Sequence, residues 1–407
     1  MRKAWAWWWA IPLMIRVAVC VWAVMLLGVS LRVMLARPGS QSVLPIYLAA
    51  AERWQQGEQL YPPISGYDLY RNPPGVAAWL VPLSWCPPKL AGLLWRWAIT
   101  GLYAWGLARV GSLVLSNATP TQRGWYWLLG GLLMLPSINN GQLNLLITAG
   151  LMLGAVAVER KRWWIAAAWL AFAGYLKVYP LAVGLLAVAA FPTKLAHRLF
   201  VMLVLVAGSA FVLQTPGFVW QSHAEYADEL RRDDRTVGEV LLDRAPRDWS
   251  ILPRQLLHWP MPRTVTLTVA LASALLLALL MRTRRLSGGI AALNLGLIWM
   301  VLFGPATEHN TYSTLAPVCA VQVLMLPGRP RWACWCARIG VALFIASFLR
   351  ATVGDDLPFD LIEAQPIGAF LLLAGVLGTR WTPATIEVVD LQFKSRRQRE
   401  TAPTLVP

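Results

Sequence analysis

Apolar runs of about 15 to 25 residues, each near the length needed to cross a hydrocarbon core of roughly 30 Å as a helix, recur from one end of the chain to the other. They fall near 11–35, 73–88, 90–114, 124–138, 143–158, 163–176, 178–193, 198–215, 264–281, 288–304, 312–326, 332–350 and 365–380, thirteen segments in all. The pattern predicts an all-α polytopic membrane protein, one domain over residues 1–407, interrupted by two long polar intervals at 36–72 and 216–262 and ending in a polar tail at 381–407. No repeat of fixed period is visible, so the pattern gives no support to a repeat-built transporter.

The polar breaks alternate in charge. From residue 159 onward "ERKRW", "TKLAHR", "MRTRRL", "PGRPRW" and the tail "KSRRQR" are basic, and the loops between them carry few positive charges. Basic loops stay in the cytoplasm. This places "LKVYP", the interval 216–262, "GPATEHN" and "VGDDLPFDLIEAQ" on the outer face, and the tail 381–407 inside. Parity then requires an odd number of crossings between loop 36–72 and "ERKRW", where four apolar segments lie. One of the four is therefore broken or only partly spanning, with "PSINNGQLN" at 136–144 the expected break, which leaves about 12 transmembrane helices.

Composition agrees: 57% of the 407 residues are hydrophobic and 14% charged, more apolar surface than a soluble domain of this length hides. A net charge of +16 suggests nucleic acid in a soluble protein, but here it resides in short loops and is explained by topology. The five cysteines (Cys20, Cys86, Cys319, Cys334, Cys336) lie in or beside apolar runs, without the paired spacing of a disulfide framework or a zinc site. The start, "MRKAWAWWWAIPLMIRVAVCVWAVMLLGVSL", is longer than a secretory apolar core and has no small-residue cleavage site, so it is expected to remain as the first membrane helix with Arg2 and Lys3 inside.

Within loop 36–72, Ile46, Ala49, Ala50 and Trp54 mark one stripe of a short helix expected to lie on the membrane surface. Loop 216–262 mixes both signs of charge, as a helical, solvated or partner-facing segment does.

Four patches on or near the outer face break the apolar pattern. In "LYRNPPGVAAWLVPL", Pro73 and Pro74 open a helix, which geometry alone explains. In "NNGQLNLL", Asn139, Asn140, Gln142 and Asn144 are suited to capping or to ligand contact. Lys177 in "GYLKVYPL" is either a snorkelling cation or a group that binds an anionic head group. In "LFGPATEHNTYSTLAP", Glu308 and His309 form either an interfacial ion pair or cap, or a pair that moves a proton or holds a phosphate. Arg254 in "DWSILPRQLL" is a further anion-binding candidate. Together these patches suit a lipid-linked phosphate held at the membrane surface.

Their order and wording resemble glycosyltransferase family 87, the polyprenol-dependent α-mannosyltransferases of the GT-C superfamily. The run starts at "IYLAAAERWQQGEQLYPP" and continues through "YRNPPGVAAWLVPL", "NGQLNLLI", "LKVYPL" and "DWSILPRQLL" to "GPATEHNTYSTLAP", covering roughly residues 40 to 330. The resemblance implies a GT-C-like fold and an inverting transfer of a hexose, with mannose suggested, from a polyprenyl-phosphate sugar to a lipid or glycan acceptor. It further implies a bacterial cytoplasmic (inner) membrane location with the active site facing outward, contacts with membrane lipids, no nucleic acid and no cofactor. It places His309 at the family's first histidine and Glu308 at the acidic position before it; the catalytic candidates are these two and, as a replacement base in the first outer loop, Glu52. The substrate-binding set is Tyr47, Gln142, Asn144, Lys177, Tyr179, Arg254 and Tyr312.

Three positions depart from the family pattern. The register of its first-loop aspartate, the general base, falls on Val43; its second histidine is Asn310; the asparagine of its Asn-x-Ser segment is Asp248. Replacement bases are Glu52, Glu58 or Glu308. Two other readings stay open: a catalytically lapsed relative that binds lipid-linked sugar or partners a membrane enzyme, and a transporter of a lipid-linked solute, for which ionisable residues deep within helices would be the mark.

Overall fold

Proline sets where several helices begin, because its missing N–H and fixed φ suit the first helical position. The computed structural model describes residues 9–36, 40, 42–62, 70–232, 247–259, 261–283, 288–304, 307–324, 330–353 and 363–379. In chain order the elements are α1 (Leu13–Leu35), α2 (Leu44–Gln56), α3 (Pro74–Ser84), α4 (Pro88–Val114), α5 (Pro120–Leu132), α6 (Leu135–Asn140), α7 (Asn144–Glu159), α8 (Trp163–Leu176) and α9 (Leu181–Ala190). They continue with α10 (Pro192–Leu213), α11 (Pro216–Arg232), α12 (Ile251–Leu257), α13 (Arg263–Arg282), α14 (Gly289–Phe303), a 3-10 turn (His309–Leu315), α15 (Ala316–Val323), α16 (Arg331–Val353) and α17 (Ala364–Leu377). Residues 1–8, the tail 381–407, and parts of the "MRTRRL", "PGRPRW" and "VGDDLPFDLIEAQ" loops lie outside the described residues.

Among the described residues four helices are long and apolar enough to cross a membrane, Leu13–Leu35, Pro192–Leu213, Arg263–Arg282 and Arg331–Leu349, and six shorter apolar helices accompany them. In α1, α10 and α13 the large side chains Val24, Leu35, Phe200, Val212, Leu271 and Leu275 are exposed. Water would oppose that arrangement, whereas acyl chains accept it. The innermost layer is α7 and α14, in which nearly every residue is buried.

Helices α7 and α14 define two ends of the bundle. At one end the half-buried carboxylate of Glu159 accepts the Ile290 N–H at 2.8 Å, tying the exit of α7 to an unsatisfied donor at the start of α14. The basic residues Arg160, Lys161 and Arg162 follow directly. At the other end the Asn144 amide reaches the Asn310 carbonyl at 3.2 Å. Acidic Glu308 and the polar turn therefore sit opposite the basic loop.

The chain breaks within 136–144 as the polar pattern predicts: α6 is only six residues long and closes on Gly141 at φ +67°, a left-handed conformation that favours glycine. Helix α3 is short as well. Its eleven residues span about 16 Å, and both neighbours tie it to the site end. The Gly75 N–H donates to the Tyr175 hydroxyl at 3.2 Å, and the Lys89 ammonium, in the first turn of α4, reaches the Met34 carbonyl near the end of α1 at 2.6 Å.

The loop helix α2 also differs from its expected setting. Its buried stripe is Leu44, Tyr47, Ala50, Ala51 and Trp54, while Ile46 and Ala49 are only half-buried. The stripe is rotated from the expected one because Tyr47 and Trp54 find aromatic partners inside the protein, Trp95 at 6.5 Å and Phe218 at 5.3 Å between ring centres. The helix is thus packed into the bundle, its C-terminus closed by Gly57 at φ +69°.

Helices α16 and α17 cross at two glycines. A Cβ at Gly340 would lie 2.7 Å from the Gly368 carbonyl, and one at Gly368 would lie 2.9 Å from the Gly340 carbonyl. Such close backbone approach is how helices associate where no water is expelled. The crossing brings Phe344 and Phe348 of α16 and Gln365 of α17 against the polar turn.

Candidate active site

The turn at 307–315 is held from three sides. Segment 247–250 pairs with it and with the end of α14: the Arg247 N–H donates to the Thr307 carbonyl at 2.7 Å, the Trp249 N–H to the Leu302 carbonyl of α14 at 2.9 Å, and the buried Tyr312 hydroxyl to the Arg247 carbonyl at 2.6 Å. The two motifs "RDWS" and "EHNTY", far apart in sequence, form one structural unit.

From the second side come the amides. Asn144 donates to the Gln142 side-chain oxygen at 2.7 Å and to the Asn310 carbonyl at 3.2 Å. The Ser137 and Ser313 hydroxyls share a 2.6 Å bond, and Ser313 lies 2.7 Å from the same carbonyl. All four side chains are buried. Gln142 and Asn144 therefore spend their hydrogen bonds on positioning the turn, as buried polar groups must. Beneath them Arg96 donates to the Asn139 carbonyl at 2.9 Å and Trp95 to the Gly141 carbonyl at 2.7 Å, satisfying the end of α6.

On the third side stands Lys177, in the extended residue that ends α8. It is half-buried and turns inward, its ammonium 5.5 Å from the centre of the Tyr179 ring. Burial alone would push this amine down. Tyr179, Glu308 and Tyr47 outweigh that effect and hold it above the ordinary lysine value. Burial pushes the Tyr47 phenol up to about 12, against the pull of Lys177. That phenol stays protonated near neutrality, so the formal negative charge facing Lys177 comes from Glu308.

Aromatic rings close the wall around this charge pair. Tyr61 lies 5.7 Å from Tyr70 and 5.8 Å from Tyr226 of α11, centre to centre. Tyr226, pushed up to about 12 mainly by burial, also senses Lys177. Such an arrangement offers flat apolar faces beside a cation and a carboxylate, the chemistry that holds a sugar phosphate.

His309 is half-buried, and its Nδ1 lies 3.2 Å from the Arg247 guanidinium and 3.0 Å from the Gln365 amide nitrogen. Burial first, then the Arg247 charge, lowers this imidazole to about 4. The ring is neutral at physiological pH. Glu308 is exposed at the mouth.

Other expected residues stand elsewhere. Glu52 is exposed and lies roughly 140° around α2 from Tyr47, so its carboxylate leaves the buried face. Glu58 is exposed beyond the end of α2. Arg254 faces Asp248, which it helps to keep charged against burial, and its Nη2 is buried with no hydrogen-bond partner among the described residues. Val43, at the start of α2, donates its N–H to the Asn140 carbonyl at 3.1 Å and packs against the core. Beside the Arg254 helix an open, apolar cavity of about 580 Å³ is lined by Trp249, Leu252, Leu256, Trp259, Val265 and Phe370. Sequence reasoning missed Arg247, Gln365, Ser137, Ser313 and the tyrosine wall.

Lipid-facing helices around a core that carries a polar, charged site at one end define a polytopic helical membrane protein. The chain belongs to glycosyltransferase family 87, whose model matches residues 70–307, and by family it is a membrane glycosyltransferase. Gln142, Asn144, Lys177, Tyr179 and Arg254 lie within the matched segment, which ends immediately before Glu308 and His309. No curated protein matches the chain.

Proposed function

We propose that this protein moves a hexose, with mannose the first candidate, from a polyprenyl-phosphate sugar to a lipid or glycan acceptor at the outer face of a bacterial cytoplasmic membrane. The observation that carries the reading is that Lys177 feels the charge of Glu308 and lies near Tyr179, with Tyr47 in electrostatic range of both charges, at the end of the bundle opposite the basic 160–162 loop. A membrane glycosyltransferase needs a cation for the phosphate and a carboxylate for the acceptor hydroxyl within one site. Lys177 serves as the first and Glu308 as the second.

In the reaction the bond between the anomeric carbon and the phosphate oxygen breaks, and the acceptor oxygen bonds to that carbon from the opposite face. The acceptor proton passes to Glu308, and polyprenyl phosphate departs with the electron pair, its charge met by Lys177. Arg254, on the helix whose Leu252, Leu256 and Leu257 line the apolar cavity, suits the phosphate or lipid end of the donor. Gln142, Asn144 and Tyr312 act by holding the turn. The topology that fits is about 12 crossings, with α3 the apolar segment that does not cross.

The test is transfer by the purified, full-length protein in lipid nanodiscs, with polyprenyl-phosphate mannose, glucose and galactose as donors. Product with at least one donor, lost in Glu308→Gln, is the expected result; no turnover with any of them refutes the enzyme reading. A second reading has its own observation. Val43 occupies the register of the family's aspartate and is engaged in packing, which favours a lapsed relative that retains lipid-sugar binding. Saturable donor binding without turnover supports that alternative.

A further inference from the structure

We propose that Gln365 is a positioning residue that, together with Arg247, fixes His309 as the neutral tautomer protonated on Nε2, so that the imidazole presents one N–H donor to an anionic substrate. The argument rests on which groups have protons to give. A guanidinium has five N–H donors and no acceptor, so its contact with Nδ1 at 3.2 Å requires a lone pair there. The Gln365 Nε2 is 3.0 Å from the same Nδ1 and 3.3 Å from the His309 carbonyl. Reversing this amide would set its oxygen against both a carbonyl and a ring lone pair. With Nδ1 doubly engaged as an acceptor, the ring proton belongs on Nε2.

The Gln365 carbonyl supports a role beyond packing. Gln365 is fully buried, and its Oε1 has no hydrogen-bond partner among the described residues. An unpaired buried acceptor is costly, and an apolar side chain of the same shape would avoid that cost. What this amide provides is a two-point grip on His309, whose ring is also held edge to face by Phe348 at 5.1 Å.

The charges around the ring all bear on its state. Arg247 opposes protonation, while Glu308, adjacent in sequence, acts electrostatically on Lys177. Asp248 faces Arg254. A neutral donor next in sequence to Glu308 contacts a phosphate oxygen without adding charge, and without the base role that an Nε2 lone pair would confer. This last step rests on the proposed glycosyl transfer; the tautomer does not.

The experiment is nitrogen-15 NMR of the full-length protein in micelles, labelled at histidine. Only four histidines are present, and His309→Gln assigns the ring. The expected wild-type spectrum at pH 7 has an unprotonated Nδ1 and a protonated Nε2. Gln365→Met, which keeps length but removes both amide donors, should shift the Nδ1 signal while Arg247 still holds the tautomer, and adding Arg247→Met should broaden the ring signals into a tautomer mixture. Gln365→Glu should raise the titration midpoint by at least one pH unit. A wild-type ring that is an imidazolium or protonated on Nδ1, or variants that leave its signals unchanged, would overturn the proposal. A locked tautomer in a protein that transfers no sugar would refute only the proposed reaction.

Discussion

Lys177 and Glu308 lie within electrostatic reach of each other, the lysine at the end of α8 and the glutamate at the entrance of the 3-10 turn, and the pairing keeps the half-buried ammonium charged. The lysine is thus prepared for a phosphate. Lys177→Gln is expected to lower kcat/KM for a polyprenyl-phosphate sugar by about 100-fold, the scale of losing one charged donor in a preorganised site. Lys177→Arg should recover part of that loss. Undiminished transfer by the glutamine variant would remove Lys177 from the site.

Glu308 and Glu52 make opposite predictions from one observation. Glu308 acts on the Lys177 charge, whereas Glu52 points off the buried face of α2. Glu308→Gln should reduce kcat by about 100- to 10,000-fold, the range of a lost general base. Glu52→Gln should leave the rate within about twofold. A larger loss at Glu52 than at Glu308, measured in parallel steady-state assays, would transfer the base role to α2.

Much of this was legible in the sequence because membrane solvent leaves strong marks. Length and periodicity locate the apolar segments, and loop charge separates Glu159's end of α7 from Asn144's. Lys177, Glu308 and His309 stood out as polar residues where apolar ones dominate. The rotation of α2 did not, since Ile46 and Tyr47 fit apolar stripes equally and only packing against Trp95 selects one. Gln365 was hidden for a related reason: it is a single amide at the head of an apolar run, and its meaning comes entirely from the Gly340 and Gly368 crossing that delivers it to His309.

Stability depends on the amide network. Asn144→Leu removes one donor from the Gln142 oxygen and from the Asn310 carbonyl, which keep Ser137 and Ser313 as partners. The expected cost is about 1 kcal/mol, read as a lower thermal midpoint in detergent. Because the same bonds position the turn, activity should fall as well, with kcat affected more than donor binding. An unchanged midpoint would show that the network is dispensable.

The depressed His309 imidazole gives a signed pH dependence. The folded ring resists protonation to about 4 because it is buried and faces Arg247, whereas in the unfolded chain it protonates near the ordinary value of 6.5. Between those values the unfolded state binds the extra proton, so the stabilising contribution present above 6.5 is lost as pH falls toward 4. Asp248 works the other way: burial holds it above its ordinary value, and acid relieves that penalty. Comparing the wild type with His309→Gln therefore isolates the ring. Melting followed by tryptophan fluorescence from pH 7.5 to 4.5 should show a shallower acid decline in the variant. Identical slopes would mean that His309 is no more reluctant to protonate in the folded protein than in the unfolded chain.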